Sequence, residues 1–348
     1  MTNSTNKFQV LSPALGIATQ HDFEQKFLSF RRRMRKNIGR RATLTTSEDW
    51  FARRRAQNAR ERRIREIGLD RVSDAEQDQL MRLARAGATL TGPTDLDAVD
   101  AWAAALHQKS PWMSEVSTFL MRHMRRSIRA GHRGLSVPPI ILVGPPGDGK
   151  TTFARLLADM ADTPHRQIDV GSGSAAFRVT GLERGWKSAQ SGVPVESVLS
   201  TSVGNGVMIV NEIDKATRPQ SDNGNVPDLT TALMQMLEPE TACRFECPFL
   251  RQQFDMSRVS WIMTANKLSM IAAPLRDRCA VFQLPEMTPQ VAGQMFDAVA
   301  RGVPGLDPDV LQMARRSVLA AAERGGMSLR RIKRILNRLE EEPAPLLH

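Results

Sequence analysis

Gly144, Pro145, Pro146, Gly147, Asp148, Gly149, Lys150 and Thr151 fit the pattern G-x-x-x-x-G-K-[ST], and Thr152 follows it. Glycines in such a loop let backbone amides wrap a chain of phosphates, and a helix starting at the lysine adds its positive N-terminal field. Lys150 has the reach for β- and γ-phosphates, while the Thr151 hydroxyl suits a Mg²⁺ ion. Every position of the pattern is filled, between an apolar run and a helical stretch, so a chance Gly/Pro turn is the poorer reading. The chemistry implied is binding of ATP with Mg²⁺.

A second element is the apolar run Met208, Ile209 and Val210, with Asn211 and Glu212 at its C-terminal end. Hydrolysis needs a carboxylate near the attacking water, and Glu212 is placed to polarise it. Asn211 stands where an acidic partner for the Mg²⁺ shell is expected. Its amide oxygen still accepts a hydrogen bond but brings no charge, which points to slower turnover or weaker Mg²⁺ binding. Asn266 ends a later strand, where its amide either orients the water or caps a loop. Arg276 and Arg278 precede the last strand. A cation there neutralises phosphate charge, commonly in the site of an adjacent subunit; a surface ion pair with Asp277 is the alternative. Arg330 opens the last helix, where a cation reports the nucleotide's state.

These residues need a scaffold, and the chain predicts one. Short apolar runs at residues 138–143, 207–210, 259–263 and 280–284 read as buried parallel strands, with helical stretches such as 151–161 and 229–237 between them. That alternation predicts an α/β three-layer sandwich around a parallel sheet. After Pro285 the strand signal stops, and residues 286–348 read as a helical lid. Residues 1–20 read as a flexible lead and 21–109 as an all-α basic region. Within that region Ser73 and Glu76 form a capping box and Thr94 caps a further helix. The α/β core is expected over 110–285.

The net charge of +11 is concentrated: residues 31–66 hold fourteen Lys/Arg against four acidic residues. No run of about 18 apolar residues exists, so no membrane span is expected. Three cysteines without metal-site spacing suit reduced thiols in a cytoplasm.

Residues 110–340 resemble the AAA+ module of the Lon family of ATP-dependent proteases. The resemblance rests on residues 144–152, on Val210 to Lys215 (VNEIDK), on Leu233 to Glu240 (LMQMLEPE) and on Ala272 to Arg278 (AAPLRDR). The last two are the more discriminating, because they lie outside the phosphate loop. The resemblance implies that Asn266 is the sensor-1 residue, Arg278 the arginine finger (Arg276 competing) and Arg330 the sensor-2 residue. It also implies a ring-shaped homo-oligomer, hexameric in this family. A pore loop would grip polypeptide through an aromatic residue, and Trp186 with Lys187 takes that place; a core tryptophan is the alternative.

The expected function is an ATP hydrolase that remodels or unfolds protein partners. Because the chain stops at His348, soon after the lid, no intrinsic peptidase activity is expected. A nucleic-acid-associated ATPase of the loader or transposition-helper kind, using residues 31–66, is the alternative; such basic runs attract phosphates. A scaffold that binds ATP but hardly turns it over is a third reading, suggested by Asn211.

Overall fold

The computed structural model describes all residues except 1–5, 17–19, 40, 42, 173–174, 186–188, 217–227, 304 and 342–348. The phosphate loop follows β3 (Ile140–Val143) of a five-stranded, all-parallel sheet. The elements before that strand are β1 (Lys7–Phe8), α1 (Gln20–Asn37), α2 (Thr46–Glu66), α3 (Asp74–Ala86), β2 (Ala88–Thr89), α4 (Leu96–Lys109) and α5 (Ser114–Arg129). Then come α6 (Lys150–Asp159), β4 (His165–Asp169), α7 (Ala175–Thr180), α8 (Val193–Thr201), β5 (Val207–Asn211), α9 (Leu229–Leu237) and α10 (Pro239–Ala242). The rest are β6 (Phe245–Cys247), β7 (Gln252–Phe254), β8 (Ser260–Ala265), α11 (Ala273–Asp277), β9 (Ala280–Gln283), α12 (Pro289–Ala300), α13 (Pro308–Glu323) and α14 (Leu329–Glu341).

The sheet order is β4-β5-β8-β3-β9. Side chains alternate across its plane, as period-2 geometry requires. Ile141, Ile168, Met208, Val210, Trp261 and Met263 enter one core. Ile140, Leu142, Val207, Ile209, Ile262 and Phe282 enter the other. Both faces are thus covered, and this is the expected three-layer α/β sandwich. The apolar runs became strands β3, β5 and β8, which bury both faces, and the edge strand β9, in which Phe282 is the buried residue. At 138–143 the strand begins only at Ile140, since neither Pro138 nor Pro139 has an N–H for the ladder.

Two cores bind the outer elements to the sheet. The first also takes Ile64, Leu69, Leu80 and Leu83 from the basic N-terminal region. The second takes Val99, Trp102 and Leu106 of α4, Leu120 and Met124 of α5, and Leu329, Ile332 and Leu336 of α14. Within the stretch expected to be a flexible lead, residues 6–16 are tied down. β1 pairs with β2, and Val10, Leu11 and Leu15 are buried. The Ser73–Glu76 capping box forms at the start of α3. The cap of α4, however, is Asp95 and not Thr94: Asp95 Oδ1 accepts from the Ala98 amide at 2.8 Å. A carboxylate one residue later reaches the third helical N–H and also complements the helix dipole.

Candidate active site

Strand order sets the geometry. β8 lies between β3 and β5, so its C-terminal residues separate the phosphate loop from Glu212. The residues meet in a cleft of about 370 Å³ lined by Gly147, Lys150, Thr151, Glu212, Thr264, Asn266 and Arg330 among others.

The loop itself is built for close approach. Gly147 and Gly149 have φ of +95° and +92°, in the region that favours glycine. A Cβ on Gly149 would stand 2.5 Å from the Leu329 side chain, so the lid helix packs directly on the loop. The Arg330 amide also donates to the Gly147 carbonyl at 3.2 Å. These contacts bring Arg330 to the cleft from α14.

Lys150 is buried and donates to the carbonyls of Gly144 (2.5 Å) and Pro145 (2.8 Å), with Asn266 Oδ1 at 3.4 Å. Burial lowers its pKa, against the opposing attraction of Asp148, Asp214 and Glu212. An ammonium held among carbonyl dipoles in a partly dry cleft favours an anionic ligand. Asp148 is 3% exposed, and its Oδ2 has no hydrogen-bond partner among the described residues. Burial raises its pKa, opposed by Lys150. The folded chain therefore favours the protonated acid, and this contribution to stability is lost as pH rises from the ordinary carboxylate range through the raised value. Asp148→Asn removes the cost at neutral pH. We expect thermal unfolding at pH 7 to show a gain of about 1 kcal/mol, shrinking as the pH is lowered into the ordinary carboxylate range.

Glu212 sits in the left-handed region, at φ 58° and ψ 49°. A non-glycine residue there is strained by about 1 kcal/mol. What holds it is Thr264, whose buried hydroxyl accepts from the Glu212 amide at 3.1 Å. The Glu212 carboxylate pairs with Lys215 at 2.8 Å. Asn211 accepts from the Thr151 hydroxyl at 2.9 Å, the contact expected of a group supporting a Mg²⁺ ligand. The Thr151 hydroxyl and the Glu212 carboxylate, with Asn211 behind the hydroxyl, are oxygen groups that fit Mg²⁺, a hard cation that keeps several waters.

Not every expected residue lies in the cleft. Arg278 is exposed and pairs with Glu238 and the Pro274 carbonyl (3.1 Å); it does not line the cleft of its own chain. Arg276 is half-buried, with a buried Nε lacking a partner among the described residues. Trp186 and Lys187 lie outside the described residues. Sequence reasoning overlooked Thr264 as the brace of Glu212, and Arg155 and Lys333 as further cations lining the cleft. A buried threonine near the end of an apolar strand was the available signal for the first.

No described cluster of three or more His, Cys, Asp or Glu forms a metal centre. Cys279 is half-buried, and burial pushes its thiol up to about 12, which disfavours the thiolate. No helix among the described residues is long and apolar enough to cross a membrane.

The α/β core is similar to known proteins. The model of the family "ATPase family associated with various cellular activities (AAA)" matches residues 140–286. The Lon protease of Mycoplasmopsis agalactiae is 32% identical over 178 residues, 50% of this chain and 17% of that protein. The mitochondrial Lon protease homolog 1 of Arabidopsis thaliana is 30% identical over 196 residues, 55% of this chain and 20% of that protein. This chain therefore spans about a fifth or less of the length of these relatives. A closed-state Hsp104 structure with ATPyS and FITC casein covers 93% of this chain and 58% of its own, at a TM-score of 0.53 and 16% identity. That likeness bears on the fold alone. The loop and strands that line the cleft thus fall within the residues that match the AAA family model, and the chain is similar over about half its length to Lon proteases.

Proposed function

We infer that the chain binds Mg-ATP in this cleft and hydrolyses it to remodel or unfold protein partners, as a ring-shaped oligomer. The observation that carries the reading is the convergence of Lys150, Thr151, Glu212, Asn266 and Arg330, from four separate elements, on one cleft. Gly144 to Thr152 wrap the phosphates, and Lys150 balances their charge. Glu212 accepts a proton from the attacking water, which Asn266 orients. Mg²⁺, when bound at Thr151, neutralises phosphate charge. Asn211 supports it without a carboxylate of its own, so turnover is slower than with an acid at that position. Arg278 serves the site of the neighbouring subunit, in keeping with its exposure outside its own cleft; six subunits is what the Lon resemblance implies. Arg330 couples the nucleotide to the lid through α14.

Protein remodelling is favoured by the similarity to Lon and by the place of Trp186 and Lys187 in the chain. A second reading, action on nucleic acid, is favoured by the surface of α1 and α2. Trp50 and Phe51 are each 52% exposed, with Arg54 stacked over Trp50 at 5.1 Å. Exposed aromatics among arginines suit a polyanion. ATP turnover measured with added unfolded protein and with added DNA separates the two. The proposal expects stimulation by unfolded protein, lost in Trp186→Ala. Stimulation by DNA alone, untouched by that substitution, would establish the second reading instead.

A further inference from the structure

The negative charge that position 211 lacks stands one strand away. β4 and β5 are parallel neighbours, and Asp169 and Asn211 are register partners at their C-terminal ends. Asn211 is committed at both ends of its amide. Oδ1 accepts from the Thr151 hydroxyl at 2.9 Å. Nδ2 donates to Asp169 Oδ1 at 2.8 Å and to Gln167 Oε1 at 3.3 Å. Reversing the amide would set its carbonyl oxygen against the Asp169 carboxylate, so Asp169 fixes which end meets Thr151. A hydroxyl that donates its proton to Oδ1 leaves its lone pairs for a cation. A carboxylate on the far side of the amide polarises it and strengthens Oδ1 as an acceptor.

We propose that Asp169 is a positioning residue for the Mg²⁺ site, orienting Asn211 and relaying its charge through the amide to Thr151. The proposal rests on the nucleotide reading above and deepens it. It also accounts for the asparagine. An aspartate at 211 would face Asp169 across registered strands, and like charges directly opposite are unfavourable. The two positions carry one carboxylate between them.

The test is binding of a fluorescent ATP analogue to the full chain, titrated with Mg²⁺ and repeated in EDTA. The proteins compared are wild type, Asp169→Asn and the exchange Asn211→Asp/Asp169→Asn, each first checked by thermal unfolding in EDTA. Asp169→Asn is expected to raise the Mg²⁺ concentration at half-saturation by about tenfold, the usual effect of losing an outer partner of a metal ligand. Its nucleotide affinity in EDTA stays at the wild-type value. The exchange returns the carboxylate to the neighbouring position and restores Mg²⁺ dependence, which a merely structural role for Asp169 would not do. The proposal is overturned if Asp169→Asn titrates like wild type, if it loses affinity equally in EDTA, or if the exchange is as impaired as the single variant. Failure of the wild-type chain to bind the analogue in either condition would refute the underlying nucleotide reading, and this proposal with it.

Discussion

Glu212→Gln is expected to lower steady-state ATP turnover by about 10²–10⁴-fold, the range over which a positioned general base acts, while ATP affinity stays close to wild type. The amide keeps the size of the side chain and a polar tip, so the cleft is undisturbed. It cannot take the proton of the attacking water. The strained backbone at φ 58° persists, because it is held by the Thr264 hydroxyl rather than by the carboxylate. The Lys215 ion pair is lost, but both partners are exposed and such pairs contribute little to stability. Phosphate release measured alongside equilibrium binding separates the two effects. Equal losses in both would mean that Glu212 shapes the site instead of acting as base.

Lys150→Ala acts one step earlier. Its ammonium is buried in the cleft on two loop carbonyls and, in the proposed binding mode, faces the phosphates. Truncating one partner of a buried charge-assisted contact costs about 2–5 kcal/mol, so ATP affinity should fall by roughly 10²-fold or more, with turnover falling in parallel. The fold should tolerate the change, since burial works against the charged lysine. Equilibrium binding gives the affinity and thermal unfolding gives the control. Undiminished affinity in a folded Lys150→Ala protein would mean that nucleotide, if bound, sits elsewhere.

The loop at residues 144–152 was legible in the sequence because its turn is local: glycines at positive φ and a helix starting at Lys150 are specified within nine consecutive residues. The buried strands were legible for a similar reason, since a strand covered on both faces is almost wholly apolar, as in Ile140–Val143 and the first four residues of Val207–Asn211. β4 escaped notice. His165–Asp169 is an edge strand of mostly polar residues, and only Ile168 is buried. With it went Asp169, whose value depends on register with a strand some forty residues later. The hairpin of β6 and β7 was missed too, being two three-residue strands around Leu250 and Arg251, the latter at positive φ. Lid contacts were likewise illegible: nothing near Gly149 announces that Leu329 packs on it. Local motifs name the chemistry, and non-local packing decides which neighbours tune it.

ATP turnover in this cleft is proposed to need Lys150 and Glu212 in distinct roles. Phosphate release measured in parallel for wild type, Lys150→Ala and Glu212→Gln, in saturating Mg²⁺ and ATP, tests it most directly. Measurable release by wild type and its suppression in both variants is the expected result. The same rate in all three proteins would contradict it.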